Sequence, residues 1–250
     1  MNAITQQNLG PRWQQIEARA RELHRQLWHQ RNALWESAPP SDEVDLLEPG
    51  VALELLGFKV HTSDFLGELN YDGVQTEVAG LIDTNNKIVR ISRRFPRNVQ
   101  LFTAAHELAH AVLHPDAVTL HRDRPLAGSD QQRDWREREA DWFATCFLMP
   151  GKLVRARFAQ AFGAERFDLT DDTAFSLCST SFERLLHACK TQRGLSRRLA
   201  EANSYGGREI EPLASMFSVS TTAMAIRLEQ LCLVAPMPQR SRAPAYLLPA

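Results

Sequence analysis

Three of the eight histidines of this 250-residue chain lie within nine positions, in the stretch TAAHELAHAVLHPD at 103–116. His106, Glu107 and His110 form the pattern HExxH. Two histidines four residues apart lie one turn apart on the same face of a helix, so both imidazoles can bind one metal ion. Glu107 can then reach a water molecule on that ion and act as general acid and base. The alternative is a helix with two hydrogen-bonded histidines and no metal.

The same stretch contains two candidates for a third ligand. Asp116 takes the last place of the pattern HExxHxxGxxD, but Leu113 stands where that pattern has the glycine that turns the chain back. His114 continues the spacing of four residues. Three ligands along one straight helix would span about 12 Å, which is too far for one tetrahedral ion. We therefore disfavour Asp116 and expect His114 in a supporting or surface position.

A second acidic motif follows at 137–141, Glu-Arg-Glu-Ala-Asp. It matches the ExxAD form of gluzincins, in which a glutamate one helix away supplies the third ligand. Glu137 and Asp141 share a helix face, so Glu137 can bind the metal while Asp141 accepts a hydrogen bond from a ligand histidine. Glu139 lies about 200° from Glu137 around the helix, which favours Glu137 as the ligand. Taken alone, the motif also fits the solvated face of an amphipathic helix.

Three segments together resemble the ImmA/IrrE family of zinc-dependent endopeptidases: HELAHAVLH, EREADWFATCFLMP and LASMFSVSTTAMAIRLEQL. The resemblance implies that His106, His110 and Glu137 bind Zn²⁺ and that Glu107 is the catalytic acid and base. It also implies cleavage of a partner helix-turn-helix transcriptional repressor, which switches on genes of mobile-element transfer, DNA-damage response or phage defence. The chain departs from the family in its long N-terminal helix, in an additional segment at about 164–203 and in lacking a C-terminal sensor domain of the IrrE kind.

A DNA-binding transcriptional regulator with a structural or vestigial zinc site is the alternative function. The third segment has the sequence pattern of a helix-turn-helix, but its second helix carries only Arg227 as a basic residue. Contacts to phosphates usually need several lysines or arginines, so structural packing or substrate docking is favoured for this block. DNA as an activator would more readily contact the arginine-rich runs VRISRRFPRN and CKTQRGLSRRL. Such runs are more often solvated faces.

The elements that must position these residues are mostly helical. Apolar residues at spacings of three, four and seven predict a long amphipathic helix in PRWQQIEARARELHRQLWHQRNALW. Further helices are predicted over about 44–56, 98–114 and 135–149, and through most of the remainder to about 233. The segments VQTEVAGLID and KIVRIS, joined by TNN, predict a β-hairpin.

These elements predict an α+β fold. We expect a minimal zincin-like metallopeptidase domain, with a small antiparallel sheet and metal-binding helices, followed by a helical, helix-turn-helix-like extension. The predicted segments are the N-terminal helix at 1–40, the metallopeptidase domain at 41–163, the extension at 164–233 and a flexible tail at 234–250. The hairpin is a candidate for pairing with an extended substrate, and equally for covering the core. Tyr71 and His121 are candidates for an additional hydrogen-bond donor to the oxyanion that forms during peptide hydrolysis.

Composition narrows the classes of partner. The 29 basic and 30 acidic residues nearly cancel, so any contact with nucleic acid must come from a local patch. The N-terminus lacks the layout of a signal peptide and no apolar run could span a bilayer, so a cytoplasmic protein without membrane contact is expected. The four cysteines form no CxxC pair, which favours reduced thiols. A thiolate from Cys146, Cys178 or Cys189 could block a zinc site, although burial as a hydrophobic residue is favoured.

Overall fold

The computed structural model describes residues 10–35, 38–71, 74–115, 121–123 and 134–237. The first helix, α1 (Pro11–Leu34), begins with a proline at its first turn, where no backbone N–H partner is needed. Its buried stripe is Ile16, Ala20, Leu23 and Leu27, as the spacing of apolar residues predicts.

Nine further helices lie in the described part of the chain. A 3₁₀ turn at Val44–Leu46 precedes α2, and α5 follows α4 after a break at Pro150. The helices are α2 (Pro49–Leu55), α3 (Arg97–Leu113), α4 (Trp135–Leu148), α5 (Gly151–Phe162), α6 (Asp171–Cys178), α7 (Phe182–Cys189), α8 (Gln192–Ala200), α9 (Leu213–Met216) and α10 (Thr221–Gln230).

The main sheet has four strands in the order β1-β5-β4-β6. Strands β4 and β5 form the predicted hairpin, but its first segment, 74–83, is divided into β3, which pairs with β2, and β4. β1 runs parallel to β5, and β6 is antiparallel to β4. Two smaller hairpins, β2-β3 and β7-β8, lie apart from this sheet. The strands are β1 (Lys59–Ser63), β2 (Glu68–Tyr71), β3 (Val74–Glu77), β4 (Gly80–Asp83), β5 (Ile88–Ser92), β6 (His121–Asp123), β7 (Ser204–Tyr205) and β8 (Arg208–Glu209).

The predicted fold class is confirmed, because a small sheet with mainly antiparallel pairing packs with helices and is followed by a helical extension. The proposed pairing of the β4-β5 hairpin with a substrate is wrong in one respect. β5 lies between β1 and β4, and β4 lies between β5 and β6, so the sheet already satisfies both strands. An added strand would have to pair with β1 or β6.

The helices α1, α3 and α4 pack together through the apolar core that also contains the main sheet. Trp13 of α1 meets Trp142 of α4 edge to face at 6.0 Å, and the Trp142 indole donates to the Trp13 carbonyl at 3.3 Å. This packing fixes the start of α1 beside α4 and near the end of α3. Within the described residues, no helix is long and apolar enough to cross a membrane. The predicted flexible tail lies outside the described residues from 238 onward.

Candidate metal centre

The two motif histidines project from α3 toward α4 and are almost fully buried. Their Nε2 atoms are 3.1 Å apart. Glu137, in the first turn of α4, places Oε2 3.2 Å from His106 Nε2 and Oε1 3.6 Å from His110 Nε2. The structure therefore brings the three sequence-predicted ligands together, although Glu137 lies on a different helix, 27 positions after His110.

The arrangement fits one metal ion. Bonds of about 2.0–2.1 Å in a tetrahedral zinc site place neighbouring ligand atoms about 3.3 Å apart. The two histidine nitrogens are 3.1 Å apart, and they lie 3.2 and 3.6 Å from the two different oxygens of Glu137, so all three distances are close to that value. Two imidazoles and one carboxylate are also a donor set that leaves a coordination position open for water or substrate. The cluster could thus hold a catalytic metal.

Asp141 lies one turn beyond Glu137 on α4 and contacts the far side of the first histidine. Its Oδ1 is 3.0 Å from His106 Nδ1. A carboxylate can only accept here, so His106 Nδ1 donates and its Nε2 lone pair faces the cluster. This is the position that sequence reasoning gave to Asp141.

Glu107 is fully buried against the sheet. A Cβ atom at Gly80, in β4, would lie 2.9 Å from Glu107 Oε1 and 2.3 Å from Thr103 Cγ2. Only glycine allows β4 to pass this close to the glutamate. Sequence reasoning missed Gly80, although an isolated glycine within a strand pattern is a signal of close backbone approach.

His114 and Glu139 do not join the cluster, but neither faces solvent. His114 Nδ1 lies 3.2 Å from His110 Nδ1, and His114 Nε2 lies 3.1 Å from Glu139 Oε2. Glu139 also accepts two hydrogen bonds of 2.5 Å from the Arg12 guanidinium. These bonds are the main reason that the pKa of Glu139 is lowered. The elimination of His114 as a ligand on helical distance agrees with its place behind His110.

The remaining candidates either lie outside the described residues or lie in the described part but not in the cluster. Asp116 lies outside the described residues, and the side chains of Tyr71 and His121 are also outside them. The three cysteines considered for metal blocking all lie in the described part, and none belongs to the group that could hold a metal. Burial raises the pKa of the Cys146 thiol to about 12, so it is protonated at neutral pH.

Comparison with protein families matches residues 54–168 to the IrrE N-terminal-like domain of peptidase family M78. The chain carries an IrrE N-terminal-like domain. The match covers the four strands of the main sheet and the helices α3 and α4, which carry the metal cluster. It confirms the resemblance to the ImmA/IrrE family. None of the curated proteins compared matches the chain. Family M78 is a family of metallopeptidases, and the IrrE N-terminal-like domain here has a cluster that could bind the required metal.

Beyond the IrrE N-terminal-like domain, the basic residue of the helix-turn-helix-like block is buried inside the protein. Arg227 of α10 is 0% exposed and donates from Nε to the Met149 carbonyl at 3.0 Å. It therefore joins α10 to the end of α4 and is not available to a phosphate. In the run VRISRRFPRN, which leads into α3, three of the four arginines form ion pairs of 3.0–3.4 Å: Arg93 with Asp64, Arg94 with Glu77 and Arg97 with Glu48.

Proposed function

We propose that this protein is a zinc-dependent endopeptidase that cleaves a helix-turn-helix transcriptional repressor and so derepresses stress, DNA-damage or phage-defence genes. The observation that carries the enzymatic part is the convergence of His106, His110 and Glu137 at the separations of a tetrahedral site, with Glu107 next in sequence to the first ligand. The choice of a repressor as substrate rests on the family resemblance.

His106, His110 and Glu137 would hold the zinc ion, which would act as a Lewis acid toward water and the carbonyl of the scissile bond. Glu107 accepts the proton of the attacking water at a carboxylate oxygen and passes it to the departing amine. Burial against β4 holds that carboxylate in place, because Gly80 and Thr103 leave it little room to move. Asp141 keeps the His106 proton on Nδ1, so His106 presents its Nε2 lone pair to the metal.

Replacing Glu107 by glutamine tests the proposal. Glutamine has nearly the same shape but cannot accept the proton, so cleavage should fall about a hundredfold or more while zinc stays bound. The full-length chain is incubated with zinc and with the small helix-turn-helix repressor encoded by the neighbouring gene, where one is present. Specific fragments are followed by mass spectrometry, and bound zinc is measured by elemental analysis.

Glu183→Gln, at an exposed position of α7, is the matched control and should cleave like the wild type. Full activity of the Glu107→Gln protein would overturn the role of Glu107 as acid and base, and no cleavage by the zinc-loaded wild type would overturn the endopeptidase proposal. The alternative of a DNA-binding regulator receives no support from α10, since its basic residue Arg227 is fully buried. DNA as an activator would show as a change in the cleavage rate on adding duplex or single-stranded DNA at low salt, where phosphate contacts are strongest.

A further inference from the structure

We propose that His114, Glu139 and Arg12 form a buried hydrogen-bonded relay that orients the ligand His110, so that metal affinity depends on the docked N-terminal helix α1. The inference rests on the proposed metal site but not on peptide cleavage. It assigns a positioning role to three residues that lie outside the ligand set and outside the HExxH and ExxAD motif positions.

The first link joins two buried imidazoles. His110 Nδ1 and His114 Nδ1 are 3.2 Å apart, and the residues are 5% and 7% exposed. One helical turn separates them, so α3 itself brings the rings together. Trp135 packs edge to face on His114, with ring centroids 5.6 Å apart, and limits its movement.

The direction of each hydrogen bond follows from metal binding. His110 must keep the Nε2 lone pair for the metal, so its proton sits on Nδ1 and is donated to His114 Nδ1. His114 therefore carries its own proton on Nε2 and donates it to Glu139 Oε2, at 3.1 Å. Glu139 is an acceptor throughout, because it also receives both Arg12 hydrogen bonds. One assignment of protons thus satisfies every link and leaves His110 ready to bind.

The relay ends on α1. Arg12 lies in the first turn of that helix, and its guanidinium holds both carboxylate oxygens of Glu139 at 2.5 Å. The side chain of Glu139 is 8% exposed and that of Arg12 is 50% exposed, so the Arg12 guanidinium lies between Glu139 and the solvent. A bidentate pair of this kind fixes the orientation of the carboxylate as well as its position.

The two ligand histidines are consequently supported in different ways. His106 is held directly by Asp141, which lies on the same helix as Glu137. His110 is held through three residues, and the last of them lies 127 positions before Glu139. The N-terminal helix is therefore a component of the metal site and not only a cover for the apolar core.

Metal affinity of the full-length protein tests this relay without reference to any substrate. The metal-free protein is titrated with Zn²⁺ against a chromophoric chelator, and with Co²⁺ while the visible spectrum reports ligand geometry. His114→Gln should weaken metal binding roughly ten- to a hundredfold, the usual effect of removing a group that orients a metal ligand. Arg12→Met should weaken it by a smaller factor, and Arg12→Lys should restore part of the loss. Glu137→Ala removes a proposed ligand and should cause the largest loss of metal affinity.

A control variant and a double variant separate the relay from ordinary packing. Arg19→Ala, at an exposed position on α1, should bind metal like the wild type. If the residues act as one unit, the His114→Gln and Arg12→Met effects on affinity are not additive in the double variant. Urea unfolding of the metal-free variants shows whether each one is folded.

The relay is overturned if folded His114→Gln and Arg12→Met proteins bind Zn²⁺ within twofold of the wild type, or if their effects simply add. Loss of metal affinity in these variants, together with no cleavage of the repressor by the zinc-loaded wild-type protein, would support the relay while refuting the endopeptidase proposal. The two proposals therefore fail separately.

Discussion

Gly80 sets the distance between the central strand β4 and Glu107. A methyl group at this position would meet Thr103 Cγ2 at 2.3 Å and Glu107 Oε1 at 2.9 Å. Both contacts are shorter than packed atoms tolerate, and α3 behind them is buried. The glycine therefore limits where the Glu107 carboxylate can lie.

Replacing Gly80 by alanine should displace Glu107, because the buried helix leaves the added methyl group no other space. We expect a loss of roughly 1–3 kcal/mol in the free energy of unfolding from overpacking. Cleavage should fall sharply while zinc remains bound, since the atoms that the methyl group would meet, in Thr103 and Glu107, belong to none of the three candidate ligands. Urea unfolding, zinc analysis and the cleavage assay measure these effects.

Gly50→Ala is the matched control, because no atom lies within 4 Å of a Cβ built at that helical position. It should keep wild-type cleavage. Wild-type cleavage and stability in the Gly80→Ala protein would show that β4 does not confine Glu107.

At the scale of elements, α1 is joined to α4 through a histidine as well as through apolar packing. His24 Nε2 lies 3.0 Å from the Phe147 carbonyl, and its ring packs on the Phe147 ring with centroids 4.7 Å apart. Burial lowers the pKa of His24 to about 4 from its ordinary value of 6.5. The junction of α1 and α4 therefore contains a histidine that stays neutral at physiological pH.

The stability of the protein should fall in mildly acidic solution for this reason. Because the folded-state pKa of His24 is the lower one, the unfolded chain takes up a proton first as the pH falls below 6.5. The contribution of His24 to stability is lost between about pH 6.5 and pH 4, and His24 causes no further loss below that window. Between pH 7 and pH 5, His24 alone should account for about 1–2 kcal/mol of the loss.

His24→Gln removes the titrating group and keeps an N–H that can donate to Phe147. The difference in unfolding free energy between pH 7 and pH 5, measured in urea, should become smaller by that amount. His29→Gln, at an exposed position of the same helix, should leave the difference as in the wild type. An unchanged difference in the His24→Gln protein would show that His24 takes up its proton equally in both states.

The elements that could be predicted from the sequence are those whose residue pattern lies within one continuous segment of the chain. The buried stripe of α1 and the spacing of His106 and His110 on α3 follow directly from helical periodicity. The β7-β8 hairpin was not predicted, although its turn residues Gly206 and Gly207, both with positive φ, are a two-residue hairpin signal. That hairpin is too short to show the alternation typical of strands.

The residues of the candidate site also fall into those that could be predicted from the sequence and those that could not. The three candidate ligands and Asp141 were predictable, because each motif places its residues on one face of one helix. The contact between His114 and Glu139 was not, since helical phase places Glu139 away from Glu137 but does not say what lies on that other side. Arg12 was beyond reach of sequence reasoning, because its contact with Glu139 depends on how α1 packs across 127 residues of chain.

In the whole molecule, Arg227 connects the helical extension to the metallopeptidase domain. Its guanidinium donates to the Met149 carbonyl at the end of α4 and lies 5.5 Å from the centre of the Trp142 ring. Trp142 in turn packs on Trp13 of α1. The extension, α4 and α1 are therefore linked through one buried cation and its neighbours.

Arg227→Met should destabilise the whole protein by about 1–3 kcal/mol, because the buried Met149 carbonyl loses its hydrogen-bond donor. Methionine fills much of the same volume, so the effect of a cavity is kept small. Arg184→Met, at an exposed position of α7, should change the unfolding free energy by less than about 0.5 kcal/mol. Equal stability of the two variants in urea would show that the buried arginine is dispensable.

The end of the family match is hydrogen-bonded to a distant part of the chain. Phe167 donates to the Leu233 carbonyl at 2.8 Å and accepts from the Ala235 N–H at 2.9 Å, so the chain returns to this point after α10. The segment that is shared with a family, 54–168, is thus shorter than the segment that folds together. A protein cut out at those limits would lose α1, Arg12 and the strand-like pairing at Phe167, and would expose apolar surface. Sequence relatedness and autonomous folding have different boundaries in this molecule, and recombinant work on the metal site needs the longer one.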